Sequence, residues 1–175
     1  MRPVALLVVA AMLAACDSGA VVTSSCAGRP APDDVRIVWG TGAEGVRFGD
    51  TEGEVRARLG EPDGLYYIDL APSTHGLRWE EGPHAGFRAT FFRRDDGPDT
   101  VGIVWLVEPF AGRTAEGVGI GSTRAEVECS FGEPDRRFGD GDVYVYESDS
   151  GYHDLAFEAD TLRSLFMLRF VRPAP

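Results

Sequence analysis

Two periods of hydrophobic and polar positions alternate along the chain. The first is helical and short. In TEGEVRARLG (51–60) Val55 and Leu59 stand at i and i+4, and in TRAEVECSFG (123–132) Val127 and Phe131 do the same. Each run opens on Thr-x-x-Glu. At that spacing the threonine accepts from the third helical amide while the glutamate returns to the threonine's own N–H. Each closes on Gly-Glu-Pro-Asp, where Gly60 and Gly132 can take the left-handed conformation and Pro62 and Pro134 forbid continuation. Two short helices are predicted.

The second period is that of strands. After the first helix come LYYIDL (65–70), GLRWE (76–80), GFRATFF (86–92) and TVGIVWLV (100–107). After the second come DVYVYES (142–148), DLAFEA (154–159) and RSLFMLRFV (163–171), and VRIVW (35–39) reads as a leading strand. DDGPD, GDGD and SDSG separate them with hairpin and loop chemistry. In DVYVYES, Val143 and Val145 point one way and Tyr144 and Tyr146 the other. TVGIVWLV is apolar on both faces, and in SLFMLRFV Phe166, Leu168 and Phe170 oppose Leu165, Met167 and Arg169. A sheet covered by helices on one side needs one apolar face, so some aromatics are left for the other. Tyr, Trp and Arg are over-represented where proteins meet. Trp105, Tyr144, Tyr146 and Arg169 are therefore the candidate partner-binding residues.

The helical runs belong to a longer internal repeat. GVRFGDTEGEVRARLGEPD (45–63) and GVGIGSTRAEVECSFGEPD (117–135) are identical at 10 of 19 positions. The expected fold is α+β: two tandem helix-plus-antiparallel-strand repeats, 35–110 and 111–175, forming one curved sheet with helices on one face. The repeated Gly-Glu-Pro-Asp is a stop signal before it is anything chemical.

Composition narrows the function classes. The formal charge is −11, and every basic side chain is arginine, with no Lys, Asn or Gln in the chain. An acidic balance argues against nucleic acid, which needs a basic patch to displace counterions. The acidic residues are scattered, as on a solvated surface.

The first residues, MRPVALLVVAAMLAAC, have the order of an export signal: Arg2, an apolar stretch too short to span a bilayer, then Leu13-Ala14-Ala15-Cys16. That ending resembles a bacterial lipobox, which implies cleavage after residue 15 and lipid attachment at Cys16. Residues 16–34 read as a polar tether. The expectation is a protein of the cell envelope held to a membrane by its lipid, with inner and outer membrane both open. Cys26 and Cys129 remain as a pair in an oxidising compartment, either bridged or as separate thiols.

The repeat pattern, carried by Gly45, Gly49, Thr51, Val55, Gly60 and Pro62 and again by Gly117, Gly121, Thr123, Val127, Gly132 and Pro134, resembles two related families. One is the SmpA/OmlA (BamE-like) envelope lipoproteins, in which a single such unit joins a short helical part to a three-stranded sheet. The other is the beta-lactamase-inhibitor-protein (BLIP-like) domain, with two tandem units and a concave sheet. The resemblance covers roughly 45–172. Lipidation favours the first family and duplication the second. Only one clear helix per repeat is present, and the repeats lack the inhibitors' internal cysteine pairs.

Neither family is enzymatic, and no catalytic motif stands out here. His75, His84 and His153 occur singly, with no His-Glu-x-x-His or Cys-x-x-Cys, no Gly-x-Ser-x-Gly elbow and no P-loop. No cofactor or metal is expected. The predicted function is a membrane-anchored, non-enzymatic adaptor or assembly factor that binds an unidentified envelope protein. The alternative is a BLIP-like inhibitor of a secreted or periplasmic hydrolase.

Overall fold

A computed structural model describes Cys26 and residues 28–68, 74–95 and 97–169. The expected signal (1–15), Cys16 and the tether up to residue 25 lie outside the described residues. Both helices form where the caps predict, α1 at Glu52–Leu59 and α2 at Arg124–Phe131. Each has a complete capping box. Thr51 N–H donates to Glu54 at 2.8 Å and Glu54 N–H to Thr51 Oγ1 at 3.4 Å. In the second box Thr123 N–H donates to Glu126 at 2.8 Å and Glu126 N–H to Thr123 Oγ1 at 3.2 Å. The helices stop at Gly60 (φ 82°, ψ −172°) and Gly132 (φ 82°, ψ −170°), a positive-φ backbone that disfavours a side chain. The aspartates of the two Gly-Glu-Pro-Asp segments also have a partner. Asp63 accepts from the backbone N–H of Glu80 at 2.6 Å and of Glu81 at 3.1 Å, and Asp135 from Glu147 N–H at 2.7 Å. Asp63 thus ties the exit of α1 to the end of the strand His75–Trp79, and Asp135 ties the exit of α2 to the strand Val143–Ser148.

Before α1 the chain makes a small three-stranded sheet of β1 (Ile37–Val38), β2 (Gly42–Ala43) and β3 (Val46–Arg47). The large sheet has eight antiparallel strands. These are β4 (Gly64–Tyr66), β5 (His75–Trp79), β6 (Phe87–Arg94), β7 (Gly97–Val107), β8 (Arg136–Phe138), β9 (Val143–Ser148), β10 (Gly151–Glu158) and β11 (Thr161–Arg169). Their order across the sheet is β4-β5-β6-β7-β11-β10-β9-β8. The edge strands β4 and β8 have three residues each. Thr51 bridges to Thr100 within β7, and Thr123 to Thr161 at the start of β11. The fold is therefore a mixed α+β arrangement of two short helices against a large antiparallel sheet.

Strand alternation sorts the sheet into two faces. On one face the register aligns Leu77, Ala89, Val104, Met167, His153 and Tyr146, and beside them Trp79, Phe87, Leu106, Leu165, Leu155 and Tyr144. All twelve are buried. The helices lie on this side. Val55 and Val127 are fully buried there, Glu52 of α1 meets His75 at 2.9 Å, and Tyr144 donates to Glu128 of α2 at 2.6 Å. A disulfide joins Cys26 to Cys129 on α2, 103 residues apart in sequence. The small sheet delivers Trp39 to the same place, where its ring stacks on Phe131 of α2 and lies tilted against His153, both at 4.2 Å.

Candidate functional site

The opposite face is the candidate. One row across the strands reads Gly64, Arg78, Arg88, Trp105, Phe166, Asp154, Val145, Arg136. The next reads Tyr66, Gly76, Thr90, Ile103, Leu168, Tyr152, Glu147. Neither described helix lies on it. Most of its large side chains, including Tyr66, Arg88, Trp105, Tyr152 and Phe166, are half-buried: they pack on one another and keep part of their surface in water.

Aromatic contacts run across this face strand by strand. Tyr66 meets Trp105 edge-on at 6.5 Å, Trp105 meets Phe166 edge-on at 6.5 Å, and Phe166 stacks with Tyr152 at 6.2 Å. Arg88 lies over Trp105 at 4.7 Å and over Tyr66 at 5.8 Å. The Tyr66 hydroxyl is hydrogen-bonded to Thr90 at 2.6 Å, and burial pushes its phenol up to about 12. Its ring covers Gly76, where a Cβ would come within 2.3 Å of the ring carbon, so glycine makes this platform possible. Arginine planes on aromatic rings hold a rigid surface ready at little entropic cost.

Of the four residues selected from sequence, only Trp105 stands on this face. Tyr144 and Tyr146 are a correction: both lie beneath α2, only 4% and 7% exposed. Tyr146 donates to the Gly132 carbonyl at 3.0 Å, as Tyr144 does to Glu128. A tyrosine can bury its ring against a core and still satisfy its hydroxyl at a helix end. The alternation of tyrosine and valine in β9 was legible, but both sets are apolar enough to face either way. Burial raises both phenols, Tyr146 to about 12, and hydrogen bonding to Glu128 adds to the rise at Tyr144. Arg169 is the second correction. It alternates with Leu165 and Met167, so it belongs to the helix side, and it is exposed at the end of β11. Sequence reading passed over Tyr66, Arg88, Tyr152 and Phe166 as site residues; the register across four strands brings them together, and a single strand's text does not carry it.

Titratable groups elsewhere form pairs. His75 sits between Glu52 (2.9 Å) and Asp99 (3.8 Å) and stacks on Phe91, while Arg56 also holds Glu52 at 2.7 Å. The Glu52 carboxyl is held below its ordinary value, its hydrogen bonds to His75 and Arg56 outweighing burial. The Glu44 carboxylate is buried between Arg36 (2.9 Å) and His84 (3.1 Å). These histidines are half-buried and paired rather than loosely exposed. Among the described residues no group of three or more His, Cys, Asp or Glu could hold a metal ion. No helix among them is long and apolar enough to cross a membrane.

No protein-family model matches the chain, and no curated protein sequence does. Two solved structures are similar to it. A DUF4309 family protein of Bacillus subtilis has 17% identity and a TM-score of 0.49, over 73% of this chain and 84% of that one. A cysteine-rich secretory protein of Staphylococcus aureus has 13% identity and a TM-score of 0.46, over 69% of this chain and 42% of that one.

Proposed function

We propose that this chain is a lipid-anchored envelope protein whose duplicated α+β domain binds another protein through the open face of its sheet. The repeated unit is one capped helix followed by four strands, β4–β7 in the first copy and β8–β11 in the second. Supporting that reading are the two capping boxes, the two strand-tying aspartates and the two threonine bridges, which recur in the same order. The copies meet at β7 and β11, so that each contributes to the open face. The repeat's resemblance to the SmpA/OmlA and BLIP-like families favours protein–protein contact over catalysis. The lipobox-like Leu13–Cys16 supports anchoring through Cys16.

The observation that carries the reading is the aromatic and arginine surface running from Tyr66 through Trp105 and Phe166 to Tyr152. Half-buried aromatics already held in place lose little rotamer freedom when a partner covers them. The test is a photocrosslinking residue at position 105 in native membranes. A discrete protein adduct that disappears with excess wild-type competitor but persists with excess Trp105→Ala competitor supports the reading, and no adduct at 105, 66 or 166 overturns it. An adduct to a soluble hydrolase in place of a membrane-associated protein would identify the chain as an inhibitor. Duplication is what favours that second outcome.

A further inference from the structure

The open face carries a cation that nothing else in the fold answers. Arg78 and Arg88 stand directly opposite each other on β5 and β6, and Arg88 stands opposite Trp105 on β7. Like charges in cross-strand register repel, and the two side chains part. Arg78 lies over Gly64, where a Cβ would come within 3.0 Å of its Nε, and it reaches Glu80 at 3.3 Å. Arg88 lies instead over the Trp105 and Tyr66 rings. Every other half-buried arginine among the described residues has an oxygen partner: Arg36, Arg56, Arg78 and Arg124 pair with carboxylates, and Arg113 donates to the Gly117 carbonyl. Among the same residues Arg88 has no carboxylate within 4.0 Å and no hydrogen bond. Its guanidinium is reachable from solvent, since the residue is half-buried and none of its nitrogens is among the buried polar atoms that lack a partner. An arginine resting on a ring keeps its in-plane donors for a carboxylate, which they can meet two at a time. The acidic groups of this face, Asp154 and Glu147, stand at the other end on β10 and β9, beyond Phe166. A negative group arriving on the face is thus steered to the Arg88 end.

We infer that Arg88 receives an aspartate or glutamate side chain of the partner protein, while the apolar residues beside that carboxylate lie along Trp105 and Phe166. The inference rests on the open face being a protein-binding surface, and it adds a requirement: the partner presents a carboxylate flanked by apolar side chains at the β5–β6 end. A partner side chain fits better than a free acid because the guanidinium is continuous with the aromatic row. Trp105 stands in register with Phe166 on the next strand, so residues flanking the carboxylate have rings to cover.

The experiment uses the full chain and three probes followed by amide and indole NMR shifts. These are acetyl-Leu-Glu-Leu-amide, the same peptide with neutral glutamine, and acetate alone. The glutamate peptide should move the Arg88 amide and the Trp105 indole N–H and bind at least about fivefold tighter than the glutamine peptide. Arg88→Gln should reduce that preference to below about twofold. Arg88→Lys, which keeps the charge without the two-donor edge, should leave an intermediate preference. The Arg88 guanidinium bonds to no other group among the described residues, so Arg88→Gln should fold, and its melting temperature checks this. Absent or equal binding of the two peptides, a preference retained in Arg88→Gln, or shifts confined to β9 and β10 would overturn the inference. So would acetate binding as tightly as the glutamate peptide, which would make Arg88 a small-anion site. A crosslink at position 105 without the charge preference removes the carboxylate requirement alone; loss of both removes the protein-binding reading as well.

Discussion

His153 offers the sharpest test of how the helix side is built. Its side chain is 3% exposed, lies against Trp39 at 4.2 Å, and has an Nδ1 without a partner. Burial disfavours the imidazolium and lowers the pKa from 6.5 to about 4. The folded value is thus below the unfolded one, so as pH falls the unfolded chain takes up the proton first. The contribution of His153 to stability is complete above pH 6.5 and is lost as pH falls toward 4. Between pH 7.5 and 4.5 linkage gives a loss of about 2.5 kcal/mol, steepest near pH 5.5 at roughly 1.2 kcal/mol per unit. That is a large share of the ~5–15 kcal/mol typical of a domain. Glu52 and Glu54, both held low, add acid sensitivity only below 4.5, and the raised carboxyl of Asp154 acts in the opposite sense. The difference between wild type and His153→Leu isolates the histidine. Urea melts followed by tryptophan fluorescence at half-unit steps should give a variant close to wild type at pH 7.5 and more stable by about 2–3 kcal/mol at pH 4.5. Parallel curves across that range would mean that the imidazole reaches water, and that the packing of Trp39 on His153 is misplaced.

Other expectations follow from the same core and from the amino-terminal reading. Val55→Asp and Val127→Asp each bury a carboxylate with no partner and should cost several kcal/mol; unchanged melting temperatures would contradict the helix packing. Tyr146→Ala should cost about 3–5 kcal/mol of stability and Tyr146→Phe about 1 kcal/mol, the latter for the bond to Gly132. Both are read from chemical melts, with no direct effect on capture at position 105. Reducing Cys26–Cys129, or replacing both by alanine, should destabilise the domain by roughly 4–5 kcal/mol on the chain-entropy account of so long a loop. Two alkylatable thiols at those positions in the unreduced, unfolded protein would refute the bridge. Cys16→Ser should abolish incorporation of a fatty-acid analogue, and labelling that persists would exclude lipidation there.

What could be read from the sequence divides along physical lines. Both helices were legible to the residue, because Thr51 and Thr123 begin them and Gly60 and Gly132 end them through local hydrogen bonds. The long strands were legible from apolar runs. Strand β8 was not, because Arg136-Arg137-Phe138 has neither alternation nor turn signals of its own and pairs only through β9. The small sheet was missed beyond its first strand, since two-residue strands leave no period. The site was legible at Trp105 alone. Tyr144 and Tyr146 were assigned to the wrong face because hydroxyl bonds to α2 depend on partners distant in sequence. The roles of Asp63 and Asp135 stayed hidden for the same reason, although the residues themselves were conspicuous.

Under the proposed lipid anchoring, the narrow margins of the sheet bear on how many copies can share a membrane. Tethered proteins meet at high local concentration, where an open β-sheet is prone to zip edge to edge. Here each margin, β4 or β8, offers only three residues, and β8 presents two adjacent arginines, Arg136 and Arg137. Such margins are poor templates for strand addition, and like charges would confront one another if two β8 strands met. A crowded lawn of these molecules should therefore stay dispersed, each with its broad aromatic side available to something other than itself.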